Sequence, residues 1–152
     1  MQMKPTRNTL SLLIACLALC VITGCMGTAR KADPDLAAEL SILPYPKSSP
    51  VGEDLDIVAI MHWQSLELVN RTPSSRSDVQ LWLNQQYVAR VAQLPVGQSV
   101  SVSLDQFVNQ HGEEYPSGDL LTPDRRVQII LAELFDPATG KRQKLLVQLP
   151  RP

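Results

Sequence analysis

The chain has few of the residue types that build chemical sites. It contains 2 histidines and 3 cysteines, and the cysteines, Cys16, Cys20 and Cys25, all lie near the N-terminus. The rest of the chain therefore has no thiol for a disulfide, a cysteine zinc site or a thiol nucleophile. It also has no Gly-Xaa-Ser-Xaa-Gly elbow and no glycine-rich phosphate loop. The sequence favours a protein that is not an enzyme and that carries no cofactor and no metal.

The chain also lacks a strong charge of either sign. Its 14 basic and 15 acidic residues give a net charge of −1, and no run of five like charges occurs. A basic excess is the usual electrostatic footprint of nucleic-acid binding. We therefore expect no nucleic-acid partner and no charged tail.

A hydrophobic run long enough to cross a bilayer is absent. The longest run extends from Leu10 to Ile22 and is interrupted only by Ser11, whereas a spanning helix needs about 20 apolar residues. Lys4 and Arg7 precede it. A basic start followed by a short apolar core is typical of a secretory signal peptide. We assign residues 1–24 to that signal, whose removal takes two basic residues and no acidic ones, so the net charge becomes −3.

The stretch Ile22-Thr23-Gly24-Cys25 ends this run. An aliphatic residue and two small residues before a cysteine resemble the lipobox of bacterial lipoproteins. That resemblance implies lipidation of Cys25, which becomes the first mature residue and inserts acyl chains into a lipid bilayer. An ordinary signal peptide cut nearby, with Cys25 a free thiol, is the alternative. Cys20 fits the lipobox poorly because the bulky Leu19 precedes it, and too little apolar chain precedes Cys16.

The residue after the cysteine bears on location. In lipoproteins of enteric-type bacteria an Asp at that position retains the protein on the inner membrane, and here it is Met26. The resemblance therefore implies a periplasm-facing protein on the outer membrane. The outer leaflet of the inner membrane is the alternative.

Residues 25–53 have the composition of a flexible, Pro-rich tether after the anchor. Their prolines include Pro34, Pro44, Pro46 and Pro50, and proline favours extended chain. A short helical segment is possible between Ala32 and Leu43. A second interpretation is that Leu43-Pro44-Tyr45-Pro46 docks on a partner or on the following domain.

Residues 54–152 predict an all-β domain, a single antiparallel sandwich of about seven strands with one short helical turn. The region from Leu55 to His62 is apolar on both sides, as in a buried strand, and Ser99 to Leu104 alternates serine with aliphatic residues. Residues 136–140 predict a turn between strands at 127–135 and 144–149. Ser103 and Gln106 have the spacing of a capping box, which predicts helix from Leu104 to Asn109.

Asn84-Gln85 predicts a two-residue hairpin turn, which would place Trp82 opposite Tyr87 across the strand pair. Trp and Tyr concentrate in interfaces, so Trp82 and Tyr87 are candidate interface residues, for a protein or for a sugar ring. The alternative is that the Trp82 face lies in the core or beneath the tether.

Two segments of this domain resemble bacterial immunoglobulin-like modules of the cell-adhesion-related and fibronectin type III kind. The first is Leu66-Glu67-Leu68-Val69-Asn70, and the second is the Leu-Pro-Xaa-Gly-Gln turn at residues 94–98 followed by an alternating strand. The resemblance implies an immunoglobulin-like sandwich with a binding or spacer role. Asn70-Arg71-Thr72 also matches the N-glycosylation pattern, which we interpret as a chance match.

The two histidines are the remaining chemical candidates. His111 lies close to Glu113 and Glu114, and this combination is a possible cation site for a metal-assisted hydrolase, although zinc sites usually hold more His or Cys. His62 is expected to be an ordinary strand residue. The leading hypothesis is a non-enzymatic envelope lipoprotein that contacts a protein or a peptidoglycan-type glycan. A subunit of an envelope transport or secretion assembly is the alternative, and the hydrolase is the least favoured.

Overall fold

The computed structural model describes residues 33–118 and 127–149. Within them the chain forms one α-helix, eight strands and one 3-10 turn at Leu104–Gln106. The elements are α1 (Pro34–Ser41), β1 (Ile57–Met61), β2 (Ser65–Asn70), β3 (Arg76–Leu83), β4 (Tyr87–Leu94), β5 (Ser99–Ser103), β6 (Ala132–Asp136), β7 (Lys141–Lys144) and β8 (Leu146–Gln148). No helix in these two ranges has the length and apolarity that crossing a bilayer requires.

The strands form two four-stranded sheets. The first sheet has the order β5-β2-β1-β8 and the second has the order β4-β3-β6-β7. Neighbouring strands are antiparallel except for β1 and β8, which run parallel. A main core of buried side chains draws members from both sheets, among them Ile57, Leu66, Leu68, Leu81, Leu83, Leu134 and Phe107. The prediction of an all-β sandwich is confirmed.

Strand patterning explains how the first sheet forms. β1 is buried on both sides apart from the half-buried Ile60, as its continuous apolar run predicts. In β2 buried and half-buried residues alternate, and in β5 the exposed Ser99 and Ser101 alternate with Val100 and Val102, which are less exposed. One face of β2 and one face of the edge strand β5 therefore contribute to the core, and the other face of each strand is less buried.

The β3–β4 hairpin turns where the sequence predicts, but in a different register. Asn84 and Gln85 both adopt positive φ, 50° and 63°, as a type I′ turn requires. Gln86 adds a third loop residue, so Leu83 rather than Trp82 pairs with Tyr87, and Trp82 pairs with Val88. Because successive residues of a strand point to opposite faces, this shift places Trp82 and Tyr87 on different faces of the sheet.

The turn after β6 agrees with its prediction. Asp136 accepts hydrogen bonds from the Ala138 backbone N–H at 2.9 Å and from the Thr139 hydroxyl at 3.0 Å, and Gly140 closes the turn at φ 65°. The strand before it starts at Ala132, whereas the sequence predicted a start at residue 127. The side-chain oxygen of Asn84 instead accepts hydrogen bonds from the backbone of Ile130 and Leu131.

The C-terminal strand divides between the two sheets. β7 pairs with β6 in the second sheet, and β8 pairs with β1 in the first. Leu145, between them, is buried and donates its backbone N–H to the Ala132 carbonyl at 2.9 Å. Residues 144–149, which were predicted as a single strand, thus contain the end of β7, the buried Leu145 and β8. This segment links the two sheets.

The predicted capping box does not form. The Ser103 side chain makes no cap hydrogen bond and instead donates to the Gln64 carbonyl oxygen at 3.4 Å. Leu104 also donates its backbone N–H to Gln64, at 2.9 Å. The chain is therefore held by the β1–β2 hairpin, and the helical turn ends at Gln106.

Candidate functional site

The outer face of the second sheet, turned away from the main core, carries a second apolar cluster. Its buried members are Leu40, Trp82, Val88 and Val108, against which Leu36, Ala37, Leu43, Tyr45 and Phe135 pack. Most of the packing partners come from residues 34–45, which we name the N-terminal cover. These residues begin within the segment predicted as a flexible tether. The packed structure therefore begins well before residue 54, where we placed the domain boundary.

Local sequence explains why the cover starts as a helix. The Asp33 carboxylate caps α1 by accepting a hydrogen bond from the Asp35 backbone N–H at 3.1 Å. Pro34 occupies the first turn, where its missing N–H costs nothing. Leu40 is the buried residue of the helix and faces the sheet. Beyond the helix, Leu43 and Tyr45 continue along the same surface.

Trp82 lies beneath this cover. Its ring contacts Tyr45 edge to face, with centroids 5.4 Å apart and an interplanar angle of 76°. Only 2% of Trp82 is exposed, and its indole N–H donates to the Gln80 side-chain oxygen at 3.1 Å. Of the interpretations drawn from the sequence, the structure agrees with the one in which the tether covers Trp82.

A buried polar cluster lies next to Trp82. Glu133, which is paired with Trp82 across β6 and β3, is 1% exposed and accepts a hydrogen bond of 2.6 Å from the Tyr45 hydroxyl. Arg142 donates to the same hydroxyl and holds its Nη1 3.8 Å from Glu133 Oε1. Burial raises the pKa of Glu133, and the charge of Lys144 opposes that shift. The cover is therefore joined to the sheet by polar as well as apolar contacts.

The chain after the cover follows the edge of β7. Arg142 donates its backbone N–H to the Pro50 carbonyl at 3.0 Å and accepts from Gly52 at 2.8 Å, and Leu55 donates to Lys144 at 2.9 Å. An exposed sheet edge offers unpaired backbone groups to other chains. Here residues 50–55 occupy that edge.

Tyr87 lies on the opposite face from Trp82. Its ring packs against Tyr115 with centroids 5.0 Å apart and an interplanar angle of 73°, next to the main core. The predicted exposed patch of Trp82 with Tyr87 therefore does not form in the described residues. The register shift in the hairpin and the burial of Trp82 under Tyr45 are its two physical causes.

A groove of about 330 Å³ opens where the cover meets the hairpin turn. Its lining combines cover residues, turn residues and the loop after the 3-10 turn: Leu43, Tyr45, Trp82, Gln85, Gln86, Val88, Asn109, Gln110 and His111. Residue-by-residue reading of the sequence missed this groove, because its members come from three separate segments.

The His111 loop does not have the geometry of a metal site. The Glu113 carboxylate accepts a hydrogen bond from the Asn109 side chain at 2.8 Å, and the His111 ring lies 3.3 Å from the Gln110 amide nitrogen. In residues 33–118 and 127–149, no three His, Cys, Asp or Glu side chains are grouped to hold a metal ion. The carboxylate convergence that a metal-assisted hydrolase needs is missing from this part of the chain.

His62 has an ordinary surface environment, but it lies one residue beyond the end of β1 and not within the strand as predicted. Its Nε2 lies 3.0 Å from the Glu67 carboxylate across the β1–β2 hairpin, and half of the His62 side chain is exposed. Hydrogen bonds from His62 and Ser99 lower the pKa of Glu67. The contact is a surface pair.

Asn70 joins the two segments that carry the immunoglobulin-like resemblance. It is fully buried, and its side-chain amide donates to the carbonyls of Leu94 and Ser74, each at 3.0 Å. Its side-chain oxygen accepts from the Thr72 backbone N–H at 3.0 Å and from the Thr72 hydroxyl at 2.7 Å. The amide nitrogen that glycosylation would modify is thus enclosed in the folded domain.

Comparison of the chain with protein-family models, with curated proteins and with solved structures found no match.

Proposed function

We propose that the protein is a lipid-anchored module of the bacterial envelope whose role is contact rather than catalysis. In this proposal Cys25 carries the acyl chains, the domain faces the periplasm from the outer membrane, and a protein or glycan of the envelope is the partner. The single observation that supports the anchor is the lipobox-like stretch Ile22-Thr23-Gly24-Cys25 at the end of a short apolar run.

The position of the cover limits how far the domain can move from the membrane. The first described residue is Asp33, the N-cap of α1, which lies eight positions after Cys25. A chain extends by at most about 3.5 Å per residue, so Asp33 can lie no more than roughly 28 Å from Cys25. The proposed contact therefore takes place close to the anchoring bilayer.

We also propose that the sandwich is an immunoglobulin-like module. The strand orders β5-β2-β1 and β4-β3-β6-β7 are compatible with the fibronectin type III arrangement of two such sheets. The backbone of Asn70 also supports it, since Asn70 donates to Gln98 at 3.0 Å and accepts from Gly97 at 2.9 Å. The strand-end Asn and the Leu-Pro-Xaa-Gly-Gln turn thereby form one connected unit. Such modules commonly present loops for binding or act as spacers.

The anchor is tested by metabolic labelling with an alkyne fatty acid and by membrane fractionation in a Gram-negative host. The wild-type protein should be labelled and should sediment with the membranes, whereas C25A should be unlabelled. C20A is the matched control and should behave as wild type. Label that persists on C25A would contradict the proposed anchor.

A subunit of an envelope transport or secretion assembly is the second candidate. Ile42 and Ile130, which are 79% and 77% exposed, are the first positions at which to test it. Crosslinking in cells followed by detergent purification separates the candidates. A stoichiometric protein partner lost on substitution of Ile42 or Ile130 by Ser would establish the assembly, and recovery without one would support the independent module.

A further inference from the structure

The groove between the cover and the hairpin turn has a lining without formal charge. Its polar side chains are four amides, Gln85, Gln86, Asn109 and Gln110, together with the His111 imidazole. The polar atoms of Tyr45 and Trp82, which also line it, are already hydrogen-bonded outside the groove. Neither a carboxylate nor a Lys or Arg side chain is among the lining residues. A charged ligand would lose its hydration there without gaining a counter-charge, which is unfavourable. The lining therefore selects a neutral, polar ligand.

Two of these amides are available to a ligand. Gln85 and Gln86 lie exposed at the tip of the β3–β4 turn, and their side chains make no hydrogen bond to a residue that the structure describes. Asn109, in contrast, is engaged within its own loop, where its side-chain oxygen accepts from the backbone of His111 and Glu113 at 2.9 and 3.0 Å. Asn109 thus shapes the groove, and the two glutamines supply donors and acceptors.

The floor of the groove is apolar and partly aromatic. Leu43 and Tyr45 are half-buried there, and Trp82 lies beneath them. Sugar rings present C–H faces that pack on such surfaces and hydroxyls that pair with amide groups, because an amide offers a donor and an acceptor side by side. The volume of about 330 Å³ lies at the small end of the range of ligand pockets, about 300–1,000 Å³.

The strand edge at this groove does not suit an extended peptide. Val88 of β4 exchanges backbone hydrogen bonds with Val108 at 2.9 and 3.1 Å. Peptides that add to a sheet need an unpaired backbone there, and the Val108 bridge occupies it. Recognition at the groove must therefore come mainly from side chains.

We propose that this groove binds a neutral saccharide, with Gln85 and Gln86 as the hydrogen-bonding residues and Leu43 and Tyr45 as the packing surface. This inference rests on the proposed function, since envelope exposure is what brings glycans to the protein, and it narrows the partner to an uncharged sugar unit.

The test is a titration of the full-length protein in detergent, followed by NMR of the glutamine side-chain amides. The probes are the neutral disaccharide of N-acetylglucosamine, glucuronic acid as an anionic sugar and glucosamine as a cationic one. Saturable shifts at the Gln85 and Gln86 amides are expected with the neutral probe. Affinity for either charged sugar should be at least about tenfold weaker, as for loss of a single well-placed interaction.

Variants establish where the sugar binds. The double variant Q85A/Q86A should weaken binding by about tenfold or more, whereas Q93A, an exposed glutamine of β4 outside the groove, should stay within about twofold of wild type. N109A is omitted because it would disturb the loop itself. Both tested glutamines are exposed, so folding of the variants is checked by the unchanged backbone spectrum.

Three results would overturn the proposal: no saturable shift at the two amides, equal affinity for neutral and charged sugars, or binding that Q85A/Q86A leaves intact. Saturable binding of an extended peptide at these amides would likewise reassign the groove to a protein partner. The lipid-labelling result for C25A is independent of all of them, so failure of the groove and failure of the anchor are distinguishable.

Discussion

The rings of Tyr45 and Trp82 meet edge to face at a centroid distance of 5.4 Å, which joins the N-terminal cover to a strand of the second sheet. Because Trp82 is buried by this contact, the cover is part of the folded domain. Its contribution to stability can be measured separately from that of the main core.

Replacement of Trp82 by Ala should lower the free energy of unfolding by about 3–5 kcal/mol, the usual cost of removing a buried large aromatic ring. Urea denaturation followed by circular dichroism measures this loss. Trp63 is the matched control because 47% of it is exposed, and W63A should cost clearly less. Equal losses for the two variants would show that the cover does not bury Trp82 in solution.

Removal of the Tyr45 hydroxyl tests the polar cluster. Y45F keeps the ring against Trp82 but deprives Glu133 of its donor, and a buried group left without a partner costs about 1–3 kcal/mol. Y87F is the control, since the Tyr87 hydroxyl has no hydrogen bond to a described residue. Thermal unfolding should show a lower Tm for Y45F and little change for Y87F. The reverse order would contradict the assigned hydrogen bond.

Glu133 and Glu67 should give the free energy of unfolding opposite pH dependences. The pKa of Glu133 is raised above its ordinary 4.5 by burial, so the folded state binds its proton more tightly than the unfolded state. Its contribution therefore favours folding at low pH and declines as pH rises from about 4.5 through the raised folded pKa. E133Q should remove that decline.

The pKa of Glu67 is lowered from 4.5 by the hydrogen bond with His62. Its contribution is present above pH 4.5 and is lost as pH falls through the lowered folded pKa. E67Q should remove that loss. Urea titrations of both variants between about pH 3 and pH 8 measure the two slopes, and slopes of the same sign would mean that one environment is misassigned.

The Asn84 side chain should hold the segment before β6, residues 128–131, in its folded conformation. Its side chain accepts from Ile130 and Leu131 and donates to the Gln128 carbonyl at 2.8 Å. A glycine tolerates the positive φ of this turn, so N84G removes the side-chain contacts without straining the backbone. Hydrogen exchange of the Ile130 and Leu131 amides should accelerate at least about tenfold, as loss of about 1.4 kcal/mol of protection produces. Acceleration spread evenly over all strands would indicate global destabilisation instead.

Replacement of Asn70 by Ala should unfold much of the population at moderate urea. The Leu94 carbonyl and the Thr72 backbone N–H lose the Asn70 side chain together, whereas the Ser74 carbonyl keeps the Thr72 hydroxyl as a donor. Each buried group left without a partner costs about 1–3 kcal/mol. Q93A removes an exposed amide of β4 instead and should cost far less. Urea midpoints of the two variants measure the difference, and similar midpoints would show that the Asn70 bonds contribute little.

Local chemistry explains which structural features could be predicted. The turn at Asp136 to Gly140, the positive-φ hairpin at Asn84 and the alternating β5 strand each depend on neighbours in sequence, so the sequence predicted them correctly. The register of the hairpin was wrong by one residue because the pairing depends on whether Gln86 belongs to the loop. Sequence patterns leave that choice to tertiary packing.

The cover and the groove depend on residues that are distant in sequence. The Pro-rich composition of residues 25–53 predicted an extended spacer, because nothing local shows that Leu40 and Tyr45 match Trp82 on a later strand. The groove is harder still to foresee, since Tyr45, Gln86 and His111 meet only after the sandwich has formed. One sequence signal could have pointed to the groove, namely two pairs of adjacent amide side chains, Gln85-Gln86 and Asn109-Gln110.

The division of the last strand has a consequence for how the protein matures. β8 completes the first sheet against β1, and β7 supplies a strand of the second. Neither sheet therefore has all of its strands until residues 141–148 are in place. Pairing between the ends of a chain is a high-contact-order step that comes slowly and late. We therefore expect a newly made polypeptide to complete its two sheets only after β7 and β8 have been synthesised. On the proposed export route, in which an unfolded chain crosses the membrane, that delay would keep the chain competent for transport until it has crossed.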